Sequence, residues 1–254
     1  MGRDVADTAL MFSAIAGYDS VDPLSFPMDT SILANPPKID LSQLRVAVSE
    51  DLGFAPVDDS VRQTFRTAIE SISGCFGEVV DATPPLEGAD EIFEVLRATA
   101  FYSSFEPYYR EKKELLGPNL IANIEQAHGY GFADAVRAQA QQNALYRRFA
   151  SYMEDFDILL SPTAAVPPFK LEQLYPTHIN GQELRGYFHW LALAYGTSLT
   201  GFPSVSIPCG LDATGTPFGL QVCGQRFGDH QLMGVAAALE NYLAEIPELG
   251  AANA

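Results

Sequence analysis

The order of hydrophobic and polar positions along the chain predicts alternating helices and strands. The chain opens with apolar residues at helical spacing from Val5 to Ala16, which predicts an amphipathic helix that stops at Gly17. Residues 18–44 are rich in Pro, Ser and Asp, a composition typical of a long surface connection.

The next segment carries the pattern of a β-α-β unit over residues 45–82. We predict a strand over Arg45–Ser49, a helix over Asp58–Ser73 that begins at Asp58 or Asp59, and a second strand over Glu78–Ala82. A strand, a helix and a strand at this spacing predict parallel pairing.

Residues 89–155 have apolar positions at helical spacing throughout. We predict helices over Asp90–Tyr109, over Pro118–His128 and over Phe132–Met153, and we expect Pro107 to end or kink the first of them.

Residues 157–243 return to a mixed pattern of strands and helices. After a buried strand over Asp157–Leu160, residues 164–185 form a Pro-rich loop. The remaining elements are a helix near Tyr187–Ser198, strands over Ser204–Pro208 and Gly219–Gly224, and a helix over Asp229–Leu243. The whole pattern predicts one α/β domain over residues 1–254.

Composition supports a folded chain and excludes one class of partner. The chain has 254 residues, of which 47% are hydrophobic, enough to bury a sizeable core. The formal charge of −17 argues against nucleic-acid binding, which requires clustered Lys and Arg. We interpret the acidity mainly as a contribution to solubility.

The distribution of cysteines and apolar runs bears on the compartment. Cys75, Cys209 and Cys223 are far apart and have no metal-ligand spacing, which is typical of buried thiols in a reducing compartment. No apolar run is long enough to span a bilayer, and the acidic N-terminal segment lacks the layout of a signal peptide. We therefore predict a cytoplasmic protein without a membrane partner.

The usual catalytic motifs do not occur. There is no G-x-S-x-G nucleophile motif, and Gly129 to Gly131 lies between helices, so we interpret it as a turn rather than a dinucleotide loop. The four histidines lack metal-ligand spacing, so we expect no metal site. His189 lies among aromatic residues that could line a pocket, but a buried core histidine is the favoured interpretation.

A longer pattern is more specific than any single motif. The segment LTGFPSVSIPCGLDATGTPFGLQVCGQRFGDHQLMGVAAALE, from Leu199 to Glu240, resembles the C-terminal block of the amidase signature family. The opening GRDVADTALMFSAIAGYDSVDPLS and the stretch DILLSPTAAVPPF are similar to two other parts of that family. The similarity is in register from Met1 to about Leu243. It implies an α/β fold, namely the C-terminal part of the amidase-signature mixed β-sheet flanked by helices.

The resemblance also implies an activity and a deficiency. Members of this family hydrolyse carboxylic amides with a lysine and two serines, one of which is held by a cis peptide, and no cofactor is implied. No G-G-S-S-G-G-like segment occurs here, and none of the four lysines has a matching context. We therefore assign no catalytic residue, and we expect a C-terminal portion of an amide hydrolase that is inactive alone.

The resemblance places three candidate substrate-binding residues on a wall of the substrate funnel: Thr163, Trp190 and Tyr195. Thr163 could instead cap a turn, Trp190 could belong to the core, and Tyr102 is a weaker candidate. Family members that use glutamine carry an acid in the helix before the Gly-x-Pro motif, whereas residues 187–198 have none. We therefore expect an apolar or aromatic amide substrate.

Two other interpretations stay open. The chain could be a non-catalytic binding or interaction module that retains half of the fold, or a hydrolase with a new nucleophile such as Ser198 or Ser161. A half-sheet leaves an unpaired edge and an apolar face. We therefore expect homo-oligomerisation, or association with a missing partner, through the exposed sheet edge.

Overall fold

A five-stranded mixed sheet organises the protein, in the order β2-β1-β3-β7-β6. A computed structural model describes residues 1–250. The strands of this sheet are β1 (Arg45–Val48), β2 (Glu78–Asp81), β3 (Ile158–Pro162), β6 (Ser204–Leu211) and β7 (Pro217–Cys223), and β4 (His178–Ile179) and β5 (Gln182–Glu183) form a separate hairpin.

Helices surround the sheet and join most of its strands. They are α1 (Val5–Ile15), α2 (Asp59–Ile72), α3 (Ala89–Lys112), α4 (Pro118–Ala127), α5 (Phe132–Met153), α6 (Ala192–Thr200), α7 (Asp229–Ala244) and α8 (Pro247–Gly250). Within residues 1–250, no helix is both long and apolar enough to cross a lipid bilayer.

The predicted β-α-β unit is confirmed. β1 pairs in parallel with β2, from Arg45 opposite Glu78 onwards. Its helix, α2, begins where the Asp58 carboxylate accepts a hydrogen bond from the Ser60 N–H. Its buried residues, Val61, Phe65, Ala68 and Ile72, recur at helical spacing.

The sheet changes direction at β3, which explains why it is mixed. β3 pairs in parallel with β1 on one side and antiparallel with β7 on the other. β6 continues antiparallel to β7, and its far side is an edge of the sheet in the described chain. The carboxyl ends of β1, β2 and β3 therefore lie beside the start of β7, and the end of β7 lies at the opposite edge.

Two element boundaries differ from the predicted ones. α3 continues through Pro107 to Lys112, so the proline does not end the helix. The predicted helix over Tyr187–Ser198 begins only at Ala192, after a single 3-10 turn over His189–Leu191. The aromatic side chains next to that turn pack into the surroundings of α3, and this packing outweighs the helical pattern of the sequence.

Candidate functional site

Thr163 lies just beyond the carboxyl end of β3. Its N–H donates to the Gly219 carbonyl at 2.9 Å, and its Oγ1 lies 2.7 Å from Oγ of Ser206 on the edge strand β6. Gly219 has room for no side chain, because a Cβ there would lie 2.9 Å from the Thr163 Oγ1. Thr163 and Ser206 thus form a pair of partly exposed hydroxyls at the edge of the sheet.

Trp190 lines a cavity of ≈ 350 Å³ that begins next to this hydroxyl pair. The ring packs edge-on against Phe169, with centroids 5.4 Å apart and planes at 87°. The cavity is otherwise bounded by apolar side chains and by Gly219: Val61, Ala164, Val166, Pro167, Pro168, Pro217 and Phe218, with Asp212 at its margin. Its size and apolar lining suit a small ligand. Thr163 and Trp190 therefore lie near one cavity, joined through Gly219.

Tyr195 lies away from that cavity, in the core between α6 and α3. It is 3% exposed, and its ring stacks on Phe93 with centroids 4.1 Å apart. Its hydroxyl donates to a carboxylate oxygen of Asp90 on α3. Burial and this carboxylate both raise the pKa of Tyr195. The residue ties α6 to α3, and direct contact with a substrate stays a prediction.

His189 completes a buried polar cluster around the same carboxylate. Its Nδ1 accepts from the Arg185 N–H at 3.2 Å, and its Nε2 lies 3.4 Å from Oδ2 of Asp90. Burial would raise the pKa of Asp90, but the contacts with His189 and Tyr195 outweigh it and lower that pKa. His189 is buried, as the core interpretation predicts.

Tyr102, the weaker candidate, is half-exposed on α3. Its ring packs edge-on against that of His128, with centroids 5.5 Å apart. It is not among the residues that line the Trp190 cavity.

Neither serine considered as a new nucleophile has an activating base. The buried Ser161 hydroxyl accepts from the Gln221 side-chain amide at 3.0 Å, and the exposed Ser198 hydroxyl donates to the Ala194 carbonyl at 2.9 Å. In residues 1–250, neither hydroxyl is hydrogen-bonded to a histidine, a lysine or a carboxylate. A serine needs such a base to become nucleophilic at neutral pH.

The structure also contains a charged cleft that our sequence reasoning missed. It measures ≈ 430 Å³ and lies at the carboxyl ends of β1 and β2, against α2. Arg62 and Arg66 both pair with Glu50 there, at 2.5 and 2.7 Å. Burial would raise the pKa of Glu50, but the two guanidinium groups outweigh it and lower that pKa. The acidic pair that follows the first strand was the available sequence signal.

Comparison with known proteins gives a consistent relationship. The profile of the family described as Amidase matches residues 1–233. An acylamidase of Rhodococcus erythropolis is 30% identical over 241 residues, which are 94% of this chain and 50% of that protein. A glutamyl-tRNA(Gln) amidotransferase polypeptide from Lysinibacillus sphaericus is 26% identical, over 97% of this chain and 55% of its own length.

Solved structures agree on the fold. A bacterial aryl acylamidase of the amidase signature family superposes with a TM-score of 0.79 at 24% identity, covering 94% of this chain and 51% of its own. A 6-aminohexanoate cyclic dimer hydrolase superposes with a TM-score of 0.76 at 18% identity, over 94% of this chain and 53% of its own. The chain thus spans about half the length of the relatives that it matches.

Proposed function

This chain belongs to the Amidase family, and on that basis we propose that it forms the carboxyl-terminal portion of an amide hydrolase. The proposed reaction converts a carboxylic amide and water into an acid and an amine. In our proposal the chain supplies one wall of the substrate funnel and no catalytic group, so it is inactive by itself.

One observation carries the proposal: the likeness extends over nearly the whole chain but over only half of each relative. Within the described residues, the two serines that could act as nucleophiles lack a base, as the contacts of Ser161 and Ser198 indicate. Amide hydrolysis requires an activated nucleophile and a stabilised oxyanion. The proposal assigns both to a segment that carries the serines and lysine typical of the family.

The wall that we propose is the Trp190 cavity with its adjoining hydroxyl pair. Its aromatic side chains, Phe169, Trp190 and Phe218, favour an apolar or aromatic amide, and α6 carries no acid that would hold an ammonium group. Tyr195 would act from behind this wall, because it fixes α6 against α3. Thr163 would contact the substrate through its partly exposed hydroxyl.

Association is a second part of the proposal. The outer side of α1 exposes Leu10, Met11 and Ile15, and β6 leaves an unpaired edge in the described sheet. We expect these surfaces to bind the catalytic half of the fold or, when it is absent, a second copy of this chain. A cytoplasmic location is also expected, and the three unbridged thiols support it.

The alternative is a non-catalytic interaction module with the same fold. The same exposed edge and apolar helix face favour it, because they would serve a binding partner as well as a catalytic half.

Reconstitution separates these functions. The purified chain is assayed with a chromogenic aryl anilide, alone and after mixing with a separately produced amino-terminal half of a related acylamidase. We expect no turnover by the chain alone and measurable turnover by the mixture, which serine-to-alanine replacement in the added half abolishes. Trp190→Ala should lower kcat/KM of the mixture by about tenfold through lost apolar contact.

Each other outcome has a defined meaning. Turnover by the chain alone would overturn the assignment of the catalytic groups to another segment. Tight binding of the added half without turnover would favour the interaction module.

A further inference from the structure

A third cavity lies at the other edge of the sheet, where β7 ends. It measures ≈ 300 Å³ and is formed by α5, the end of α6 and the loop after β7. Its lining includes Tyr146, Ser198, Gly201, Arg226 and Phe227, and none of its lining residues is acidic. In a protein of charge −17, a cavity with a guanidinium and no carboxylate is unusual.

Arg226 differs from most arginines of this chain in having no ionic partner. Seven others pair with carboxylates at 4.0 Å or less: Arg3, Arg45, Arg62, Arg66, Arg110, Arg137 and Arg185. Arg226 forms neither a salt bridge nor a hydrogen bond within the described part of the chain. Its guanidinium lies over Gly201, where a Cβ would be 3.8 Å from Cζ. Its planar array of donors is therefore available to an anion.

Phe227 gives the cavity an aromatic wall in a strained conformation. Its backbone has φ = 61°, the left-handed region that a bulky side chain rarely adopts. The ring is 71% exposed, and Arg226 Cζ lies 4.1 Å from its centroid. Strain of this kind concentrates at ligand sites, and here it holds an aromatic face beside a free guanidinium.

Tyr146 contributes a second ring to the lining. Its ring lies 6.1 Å from that of Phe202, and its hydroxyl has no hydrogen-bond partner among residues 1–250. A guanidinium binds a carboxylate through two parallel hydrogen bonds, and aromatic faces accept a planar ring. We propose that this cavity binds a small aromatic carboxylate, held by Arg226 and stacked against Phe227.

The site is separate from the proposed funnel wall. Thr163 pairs with Gly219 near the start of β7, whereas Arg226 follows its end. At about 3.3 Å per residue, the two lie roughly 20 Å apart along the strand. Binding here requires no catalytic group, so its outcome is independent of whether the chain is part of a hydrolase.

Calorimetric titration of the 254-residue chain with benzoate tests the proposal. Benzamide, which has the same shape without the charge, is the ligand control. We expect benzoate to bind about tenfold more tightly than benzamide, and Arg226→Gln to weaken benzoate binding about tenfold, because a charge-assisted pair is lost. Arg226→Lys should recover only part of the affinity. Arg3→Gln makes the same charge change at an exposed site and should have no effect.

A chemical readout works in any state of association. Phenylglyoxal modifies free arginines, and peptide mass mapping follows each site separately. Benzoate should slow modification of Arg226 about tenfold and leave Arg3 unchanged, whereas benzamide should protect neither. Equal benzoate affinity in the Arg226→Gln variant, or an absence of both binding and protection, would overturn the proposal.

Discussion

At the scale of single residues, Asp212 shows how one carboxylate organises a turn. It accepts the N–H groups of Thr214 and Thr216 at 2.8 and 3.0 Å, and both hydroxyls at 2.6 Å. Burial would raise its pKa, but these hydrogen bonds outweigh it and lower the pKa to about 2. Asp212 thereby fixes the connection between β6 and β7 at the margin of the Trp190 cavity.

Replacing this carboxylate should give a pH-dependent loss of stability. We expect Asp212→Ala to lower the free energy of unfolding by about 1 kcal/mol at pH 7, because the turn is open to solvent and screening weakens each bond. The folded pKa of about 2 is below the value of about 4 for an unfolded aspartate. The contribution is therefore complete above about pH 4 and is lost as the pH falls through about 2.

Urea denaturation from pH 7 down to pH 2 measures this difference. Glu172→Ala, which removes an exposed carboxylate without such hydrogen bonds, is the matched control. A deficit in Asp212→Ala that does not change with pH would contradict the role of the ionised carboxylate.

At the scale of elements, the close approach of α6 to the loop after β1 depends on Gly196. A Cβ at this position would lie 2.9 Å from two ring carbons of Phe54 and 3.4 Å from Cδ1 of Leu52. Leu52 is fully buried, and the Phe54 ring packs against Tyr195, with centroids 6.0 Å apart. The glycine thus lets α6 pack at the carboxyl end of β1.

Gly196→Ala should destabilise the protein although alanine favours helices. Overpacking of this contact is expected to cost about 1–3 kcal/mol, more than the roughly 1 kcal/mol that alanine adds to a helix. Gly74→Ala is the control, because a Cβ there meets nothing within 4 Å. Thermal unfolding followed by circular dichroism compares the two variants, and equal midpoints would show that the Phe54 ring moves aside without cost.

The helices show how far the sequence predicts this structure. Apolar periodicity alone predicted α5 to the residue, Phe132–Met153, since a long helix buries one continuous stripe. The start of α6 was missed, because Phe188 and Tyr187 pack in an aromatic cluster that a local pattern does not reveal.

The candidate site was less predictable than the fold. Thr163 and Trp190 were singled out from a family pattern, but their approach to one cavity depends on the pairing of β3 with β7 across the sheet. The Glu50 cleft and the Arg226 cavity were missed for the same reason. Each joins side chains from segments that only tertiary packing brings together.

At the scale of the whole molecule, a high negative charge coexists with an apolar helix face. The outer side of α1 exposes Leu10 and Ile15 at 62% and 76%, and the chain carries a formal charge of −17. Charge repulsion opposes association, whereas exposed apolar surface favours it.

We predict that the isolated chain self-associates through α1, and more strongly at high salt, which screens the repulsion. Leu10→Gln combined with Ile15→Gln should shift the chain towards the monomer in sedimentation velocity. Leu171→Gln with Leu174→Gln removes two other exposed leucines, which are not on α1, and serves as the control. An identical shift in both double variants would indicate general surface hydrophobicity rather than an α1 interface.

The position of β1 between β2 and β3 has a consequence for the order of folding. The contact of Arg45 with Glu78 closes a loop of 33 residues, whereas its contact with Asp157 closes one of 112 residues. The longer closure costs about 1 kcal/mol more chain entropy, before any packing compensates for it. Local pairing should therefore come first, so that the Ala82 amide, bonded to Val48, gains protection from hydrogen exchange before the Ser49 amide, bonded to Leu160. Residues 45–82 would then be a folding nucleus onto which β3 docks only after the whole helical excursion has collapsed.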